Sequence, residues 1–339
     1  MITRIQDYDL SSRNTFRMRV RCALFVEVTA EEDLQALDWE ALPQPVMVMG
    51  GGSNLLFTGN FPGTVLHFAD KSPFFLSDAD FVTVPAGVVF DDFCAWAAAE
   101  GLWGPENLSL IPGECGASAI QNIGAYGVEA KDILADIRAW DRQEGRFVHI
   151  DPAECRYGYR TSRFKTEWKG RFVITAVTYR LSRVPRPKLD YGGIRKALEG
   201  AGTLTPQLIR ETIIGIRNQK LPDPAVMGSA GSFFCNPVIS REHFERIVTI
   251  ARQDNGEDYQ VPHYVTPEGI KVPAAWMIEQ CGLKGVRKGG AQVYQHQPLV
   301  IVNASGEATP EEIIGLEQQV IETIATKYGI TLHPEVEHV

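Results

Sequence analysis

The sequence predicts an α+β protein of two domains, and three observations carry that prediction. With 339 residues and 44% apolar side chains, the chain can bury two cores without metals or crosslinks. Its N-terminal part begins as a strand–helix–strand pattern but continues in short alternating runs, which predicts a mixed sheet. The breaker LPDP (221–224) then precedes a separate set of strands and helices, so the domain boundary is expected near it.

The elements follow in order. ALFVEV (23–28) reads as a strand, and Thr29 with Glu32 predicts a capping box for a helix over AEEDLQALDWEAL (30–42), after which PVMVM (45–49) reads as a second strand. Glycines follow that βαβ unit, but TVLHF (64–68) and FVTVPAGVVF (81–90) come next, so they lead from strand to strand. DDFCAWAAAEGL (91–102) predicts a helix closed by Gly101. Residues 104–131 read as a glycine-rich loop. IRAW and RFVHI, around the turn RQEG, predict a hairpin before the strand FVITAVTYRLSR (172–183). VPRPKLDYGGIRK (184–196) reads as an ordered loop, and Thr205 with Pro206 opens a helix running to Lys220. Beyond the breaker come a strand, SFFCNPVI (232–239), a helix capped by Ser240, a short helix AAWMIEQCGL, and a strand QPLVIVN. A long helix begins at Thr309, Pro310 and Glu312, ends at Gly329, and precedes a terminal strand ITLHPEV (330–336).

Composition excludes several classes. No apolar run approaches the roughly 20 residues of a membrane span, and the polar start MITRIQDYDLSSRN lacks the apolar stretch of a secretory signal. The six cysteines include no C-x-x-C pair, so free thiols in a reducing cytoplasm are expected, without a metal site. A net charge of −9 argues against general nucleic-acid binding, so any anionic ligand must find local positive charge. CRYGYRTSRFKTEWKGR (155–171) is one basic region, although such clusters are more often solvated faces.

Two glycine stretches carry the chemistry. GGGSN (50–54) follows a strand directly, and glycine there lets backbone N–H groups chelate a phosphate, a tight turn being the ordinary alternative. It is not the Rossmann fingerprint, since Leu55 stands where that spacing needs glycine. IPGECGASAIQNIGAYG (111–127) sets Gly113, Gly116, Gly124 and Gly127 among apolar residues, which close backbone contact with a flat or phosphorylated ligand explains. Two such loops without a Walker motif favour a large dinucleotide.

GGGSNLL, IPG-x-x-G-x-x-x-x-QNIGAYG, YGYR-x-S-x-FK, K-LPDP followed by GS-FF-NP, and a terminal HPEV recur in this order in the bacterial UDP-N-acetylenolpyruvoylglucosamine reductases. The chain resembles that family over essentially its whole length. The resemblance implies an FAD-binding fold of the vanillyl-alcohol oxidase / p-cresol methylhydroxylase type plus a smaller α/β substrate-binding domain. Residues 1–215, as two subdomains joined by the C-terminal strand 329–339, would bind FAD, and residues 220–328 would bind substrate. It further implies noncovalent FAD, NADPH as hydride donor, and reduction of the enolpyruvyl ether of UDP-N-acetylglucosamine to UDP-N-acetylmuramate for peptidoglycan synthesis, by a cytoplasmic monomer.

Carried over residue by residue, FAD contacts are expected at Gly50, Gly51, Gly52, Ser53, Asn54, Gly113, Gly116, Ala117, Gln121, Asn122, Gly124 and Ala125. The family's proton donor falls on Ser232, its carboxylate-binding arginine on Arg160, and the partner acid on Glu335. Substrate contacts fall on Tyr126, Tyr191, Lys220, Asn236 and Gln297. Tyr191, in LDYGGIR, resembles the mobile tyrosine of the family's longer type, with glycines beside it that permit movement. Serine is a weak acid, yet a basic carbanion needs little acidity from a positioned donor. Arg160 suits the charge that accumulates on the carboxylate after hydride addition, and Glu335 has to be protonated if it lies beside that charge. Arg217, one turn before Lys220, is a second cation for a diphosphate. Two other classes compete. A hydroxy-acid oxidase of the same fold often carries an anchoring histidine, which GGGSN lacks. A non-catalytic nucleotide-sugar binding protein would need no flavin loops.

Overall fold

The structure, a computed structural model, describes residues 1–77 and 80–339. The chain forms two compact units. Residues 1–10, 20–52 and 60–219 make the first, and residues 11–19, 53–59 and 220–339 make the second. In this part of the chain the division falls at 219/220. The tail 329–339, expected with the first domain, belongs to the second unit, as do residues 11–19 and 53–59.

The first unit holds two four-stranded sheets. One runs β1 (Ile2–Asp9), β2 (Arg21–Val28), β5 (Phe61–Phe68), β3 (Val46–Val48), with β1 antiparallel to β2 and β5 parallel to both of its neighbours. The strands of the predicted βαβ unit are therefore not adjacent, because β5 lies between them. Its run is buried from Gly63 onward, as an interior parallel strand covered on both faces must be. The helix between β2 and β3 is only α1 (Glu31–Gln35). Thr29 does not cap it, its N–H donating instead to the Met1 carbonyl at 3.3 Å. The intervening β4 (Leu55–Leu56) belongs to the second unit.

The other sheet is antiparallel throughout. It orders β10 (Arg146–Ile150), β9 (Leu134–Asp141), β11 (Phe172–Arg180) and β6 (Phe81–Pro85), so the predicted hairpin is present. Helix α2 (Phe90–Ala99) buries Phe90, Phe93, Cys94 and Ala97 at helical spacing, and Gly101 at φ +69 ends it. The loop predicted over 104–131 contains a helix, α3 (Cys115–Gln121), and a small hairpin of β7 (Gly124–Ala125) and β8 (Val128–Glu129). Small residues, neutral in pattern, hid that helix. Helices α4 (Ile194–Ala197) and α5 (Pro206–Lys220) complete the unit, α5 opening at the predicted Pro206.

In the second unit the expected strand 232–239 is broken. Residues Gly228–Ser229 form β12 and Val238–Ile239 form β13, while Phe234 makes a single bridge to Pro334. Ser240 caps α6 (Arg241–Asn255) through a hydrogen bond from the His243 N–H. One sheet orders β13, β15 (Gly269–Lys271) and β14 (Tyr264–Thr266), followed by α7 (Ala274–Gln280). The other orders β12, β18 (Ile301–Asn303), β17 (Ala291–Val293) and β16 (Arg287–Lys288). Helix α8 (Pro310–Tyr328) starts at the predicted Thr309 with a capping box, the Thr309 hydroxyl accepting from Glu312 N and the Glu312 carboxylate from Thr309 N. Only β19 (Glu337–His338) of the tail is strand, parallel to β4. Among the described residues no helix is long and apolar enough to cross a membrane.

The box yields a stability prediction. Thr309→Ala should cost about 1 kcal/mol in urea unfolding of the full chain, the usual value of an N-cap hydroxyl. A loss below a few tenths would show that Pro310 and packing alone set the start of α8.

Candidate active site

In the first unit, β3 leads into Gly50–Gly52, and the second glycine loop lies directly against it. A Cβ built on Gly51 would meet the Gly113 Cα at 3.5 Å, and one on Gly50 would lie 3.0 Å from Glu114 Oε2 and 3.5 Å from Ala117 Cβ. Among the described residues, the N–H groups of Gly50, Gly51 and Gly52 donate to no backbone carbonyl. With Gly52 at φ +61, they are unspent donors in a turn open to an anion. Gln121 adds a buried Oε1 with no hydrogen-bond partner among the described residues, an acceptor that an FAD ring or ribose donor would satisfy. The glycine cradle, the free amides and this orphaned acceptor fit a dinucleotide.

Helix α3 fixes the second loop. Cys115 N donates to Val88 O at 2.9 Å and Gly116 N to Ala86 O at 3.0 Å. A Cβ on Gly116 would come within 2.8 Å of the Ala86 Cβ, so this expected cofactor glycine is small in order to seat the helix. Asn122 closes the helix at φ +45, fully buried. Its amide donates to Gly158 O at 2.9 Å and Glu129 Oε2 at 3.0 Å, and its Oδ1 accepts from Lys131 N at 3.1 Å. Its side chain is committed to the protein, which leaves backbone as what it can offer a cofactor.

Through Gly158 this wiring reaches Arg160. Arg160 sits at φ +56, and its Nη2 donates to Gly124 O at 2.5 Å. A Cβ on Gly124 would stand 2.8 Å from Arg160 Nη1, so that glycine admits the guanidinium. Ala125 pairs with Val128 in the hairpin that turns the chain to Tyr126. Asn107, wholly buried, donates to Tyr126 O at 2.9 Å and Lys188 O at 2.8 Å, joining the Tyr126 turn to the segment before Tyr191. The Tyr126 ring lies so near Gly192 that a Cβ there would be 2.5 Å from it. Burial raises the Tyr126 phenol above its ordinary range, while the Arg217 charge draws it down. Arg217 itself is lowered by burial and donates to Leu110 O at 3.2 Å. A desolvated guanidinium resting on a carbonyl can take up an anionic ligand group. The structure thus brings Arg160, Tyr126 and Tyr191 onto one connected set of loops.

The second unit assembles the other candidates. Glu335 N donates to Phe233 O at 2.8 Å and Cys235 N to His333 O at 2.9 Å, so the Glu335 backbone runs beside the residue after Ser232. Asn54 Nδ2 donates to Glu335 O at 3.0 Å, and Glu337 N to Asn54 O at 3.0 Å. The Asn54 amide, expected at the cofactor, anchors the segment that carries the acid, and the Ser53 carbonyl accepts from Thr15 Oγ1 at 3.3 Å. Asn236 Oδ1 accepts from Ala274 N at 2.9 Å, which ties it to the start of α7. Gln297 O accepts from Val300 N at 3.0 Å in the turn before β18, and Lys220 is exposed at the end of α5. Among the described residues no group of three or more His, Cys, Asp or Glu could hold a metal ion.

Sequence reasoning missed Asn107, Glu114, His67 and His338. Only an amide or acid inside an apolar glycine loop could have flagged the first two. His338 Nε2 lies 2.8 Å from Glu317 Oε2 on α8, and this hydrogen bond raises the imidazole above its ordinary value. The pair pins the tail that presents Glu335. Because the folded value is raised, its stabilisation is complete below about pH 6.5 and is lost as pH rises through the raised value. His338→Ala should therefore lower Tm more at pH 6 than at pH 9, and an equal gap at both would exclude the imidazolium.

Residues 223–339 match the model of the UDP-N-acetylenolpyruvoylglucosamine reductase C-terminal domain, and residues 22–151 match an FAD-binding domain. The UDP-N-acetylenolpyruvoylglucosamine reductase of Porphyromonas gingivalis is 44% identical over 98% of both chains. That of Chromobacterium violaceum is 44% identical over 97% of both. The crystal structure of the Thermus caldophilus enzyme shares the fold at TM-score 0.69 and 22% identity, covering 100% of this chain and 98% of that one. The expected α+β class, an FAD-binding fold of the vanillyl-alcohol oxidase type with an added α/β domain, is borne out. With identity of this extent over its whole length, the chain belongs to the UDP-N-acetylenolpyruvoylglucosamine reductase family.

Proposed function

We propose that the protein reduces the enolpyruvyl ether of UDP-N-acetylglucosamine to UDP-N-acetylmuramate, with noncovalent FAD and with NADPH as donor. The observation that carries this reading is the Arg160 guanidinium locked onto Gly124 of the flavin-type loop. A carboxylate-binding cation tied to the cofactor loop is what a reductase of an enolpyruvyl group needs.

When bound, FAD would relay a hydride from NADPH to the terminal carbon of the enolpyruvyl double bond. The chain's own residues would do the rest. Arg160 would hold the substrate carboxylate, onto which charge flows as the double bond is reduced, and its planar fork matches that group. Glu335, in its protonated form, would donate a second hydrogen bond to the same charge, since an ionised acid there would oppose it. Ser232 would deliver the proton to the ether-bearing carbon, which completes the addition of H⁻ and H⁺ across one double bond. This role is supported by the Phe233 carbonyl, which accepts from Glu335 N and keeps donor and acid on neighbouring segments. Tyr126, Tyr191, Lys220, Asn236 and Gln297 would bind the nucleotide sugar, with Arg217 and Lys220 the cations for its diphosphate.

Two outcomes test the reading. Acid precipitation of the purified protein should leave yellow flavin in the supernatant, and colour kept in the pellet would contradict noncovalent FAD. Stopped-flow absorbance separates the half-reactions. Ser232→Ala should be reduced by NADPH at near the native rate, yet be reoxidised by substrate roughly 10²-fold more slowly, the usual worth of a general acid. Arg160→Lys should slow the same half, because an ammonium cannot make the bidentate contact. Normal reoxidation of the serine variant would remove Ser232 from the chemistry.

A further inference from the structure

Behind the first glycine loop lies a histidine held between two carboxylates, none of which the proposed chemistry uses. His67 is on β5, where Glu27 of β2 is its register partner. On the other side of β5 is β3, whose Met49 N–H donates to Leu66 O immediately before Gly50. The imidazole is thus at the level where the chain leaves the sheet to form the loop. Its Nδ1 is 3.1 Å from Glu27 Oε2, and its Nε2 is 2.9 Å from Glu114 Oε1.

Both contacts are hydrogen bonds only if each carries a proton. A neutral imidazole has one N–H and would turn its other lone pair toward a carboxylate. The three side chains must therefore hold two protons, either as an imidazolium between two carboxylates or with one carboxyl protonated. Either distribution leaves the set one negative charge instead of two. Burial makes that bookkeeping consequential, as the His67 side chain is 5% exposed and that of Glu114 11%.

Glu114 is the link to the cofactor loops. It is the N-cap residue of α3, yet its side chain makes no capping bond. The first two N–H groups of the helix are already taken by Val88 O and Ala86 O. Its carboxylate turns instead to His67 and rests against Gly50, where a Cβ would be 3.0 Å from Oε2. Gly113, the preceding residue, is the one that faces Gly51.

We propose that His67 is a positioning residue for cofactor retention, which holds the Glu114 carboxylate against Gly50, keeps the two glycine loops in contact, and neutralises an anion beside them. The inference rests on the reading that an FAD diphosphate lies along these loops. Without His67, Glu114 is a carboxylate with no cation, next to the turn that must receive another anion. At the distances of such a loop, one unbalanced charge in a partly buried site weakens anion binding by about tenfold or more.

The test titrates apoprotein with FAD and follows the quenching of flavin fluorescence, with the Tm of each apoprotein measured alongside. His67→Gln should bind FAD about tenfold or more weakly. Glu114→Gln should stay within about threefold of wild type, and the double variant His67→Gln/Glu114→Gln should return to that level, because the neutral amide needs no counter-charge. Rescue by removing the partner's charge is a readout that a purely structural histidine would not give. His67→Gln with wild-type affinity, or a double variant as weak as the single one, overturns the proposal. If His67→Gln does not fold, Glu114→Gln decides, since a tenfold loss there would mean that the carboxylate assists binding. A wild-type apoprotein with no affinity for FAD would overturn the FAD reading as well, whereas wild-type binding with an unaffected His67→Gln overturns this inference alone.

Discussion

Helix α3 can sit where it does because position 116 has no side chain, and much of the first unit's site depends on that seat. The Gly116 amide reaches the Ala86 carbonyl across a gap in which a Cβ would lie 2.8 Å from the Ala86 Cβ. One end of the seated helix presents Gly113 and Glu114 to the first glycine loop. At the other end, Asn122 passes the chain into the hairpin that bears Gly124 and Tyr126. A short helix of small residues has little intrinsic stability, so its position comes from these contacts and not from propensity.

Backbone strain marks the same region. Leu110, Asn122, Tyr126 and Arg160 all have positive φ, between 45° and 61°, which L-residues adopt at a cost of order 1–3 kcal/mol each. Such conformations persist only where neighbours over-determine them. Asn122 is held by three hydrogen bonds of its own side chain, Tyr126 through the Asn107 amide, and Arg160 through the Gly124 carbonyl. Loops held in this way are pre-organised, so that binding a ligand would cost little further ordering.

Charge is managed locally in a chain whose net charge is −9. The basic segment 155–171 is largely spent on structure, with Arg156 and Arg163 on Glu167, and Arg171 on Asp141. Arg210 is likewise paired with Asp91. Arg160 donates to the Gly124 carbonyl and Arg217 to the Leu110 carbonyl, and such contacts orient a guanidinium. In the second unit the same economy appears in the tail, where short backbone bridges and the His338–Glu317 pair carry Glu335.

By itself the sequence determined the class, the order of most elements, the start of the long helix at Thr309 and the family. Those features reside in local signals, periodicity, caps and ordered motifs, and each is read within a few residues. Tertiary structure decided the rest. It placed β5 between β2 and β3, cut the predicted helix after β2 to five residues, and broke SFFCNPVI into bridges. It also separated the glycines by purpose, with Gly116 seating a helix, Gly124 admitting Arg160, and Gly50 facing a carboxylate. No local pattern distinguishes these roles, because each is defined by an atom from a distant part of the chain standing where a Cβ would have been.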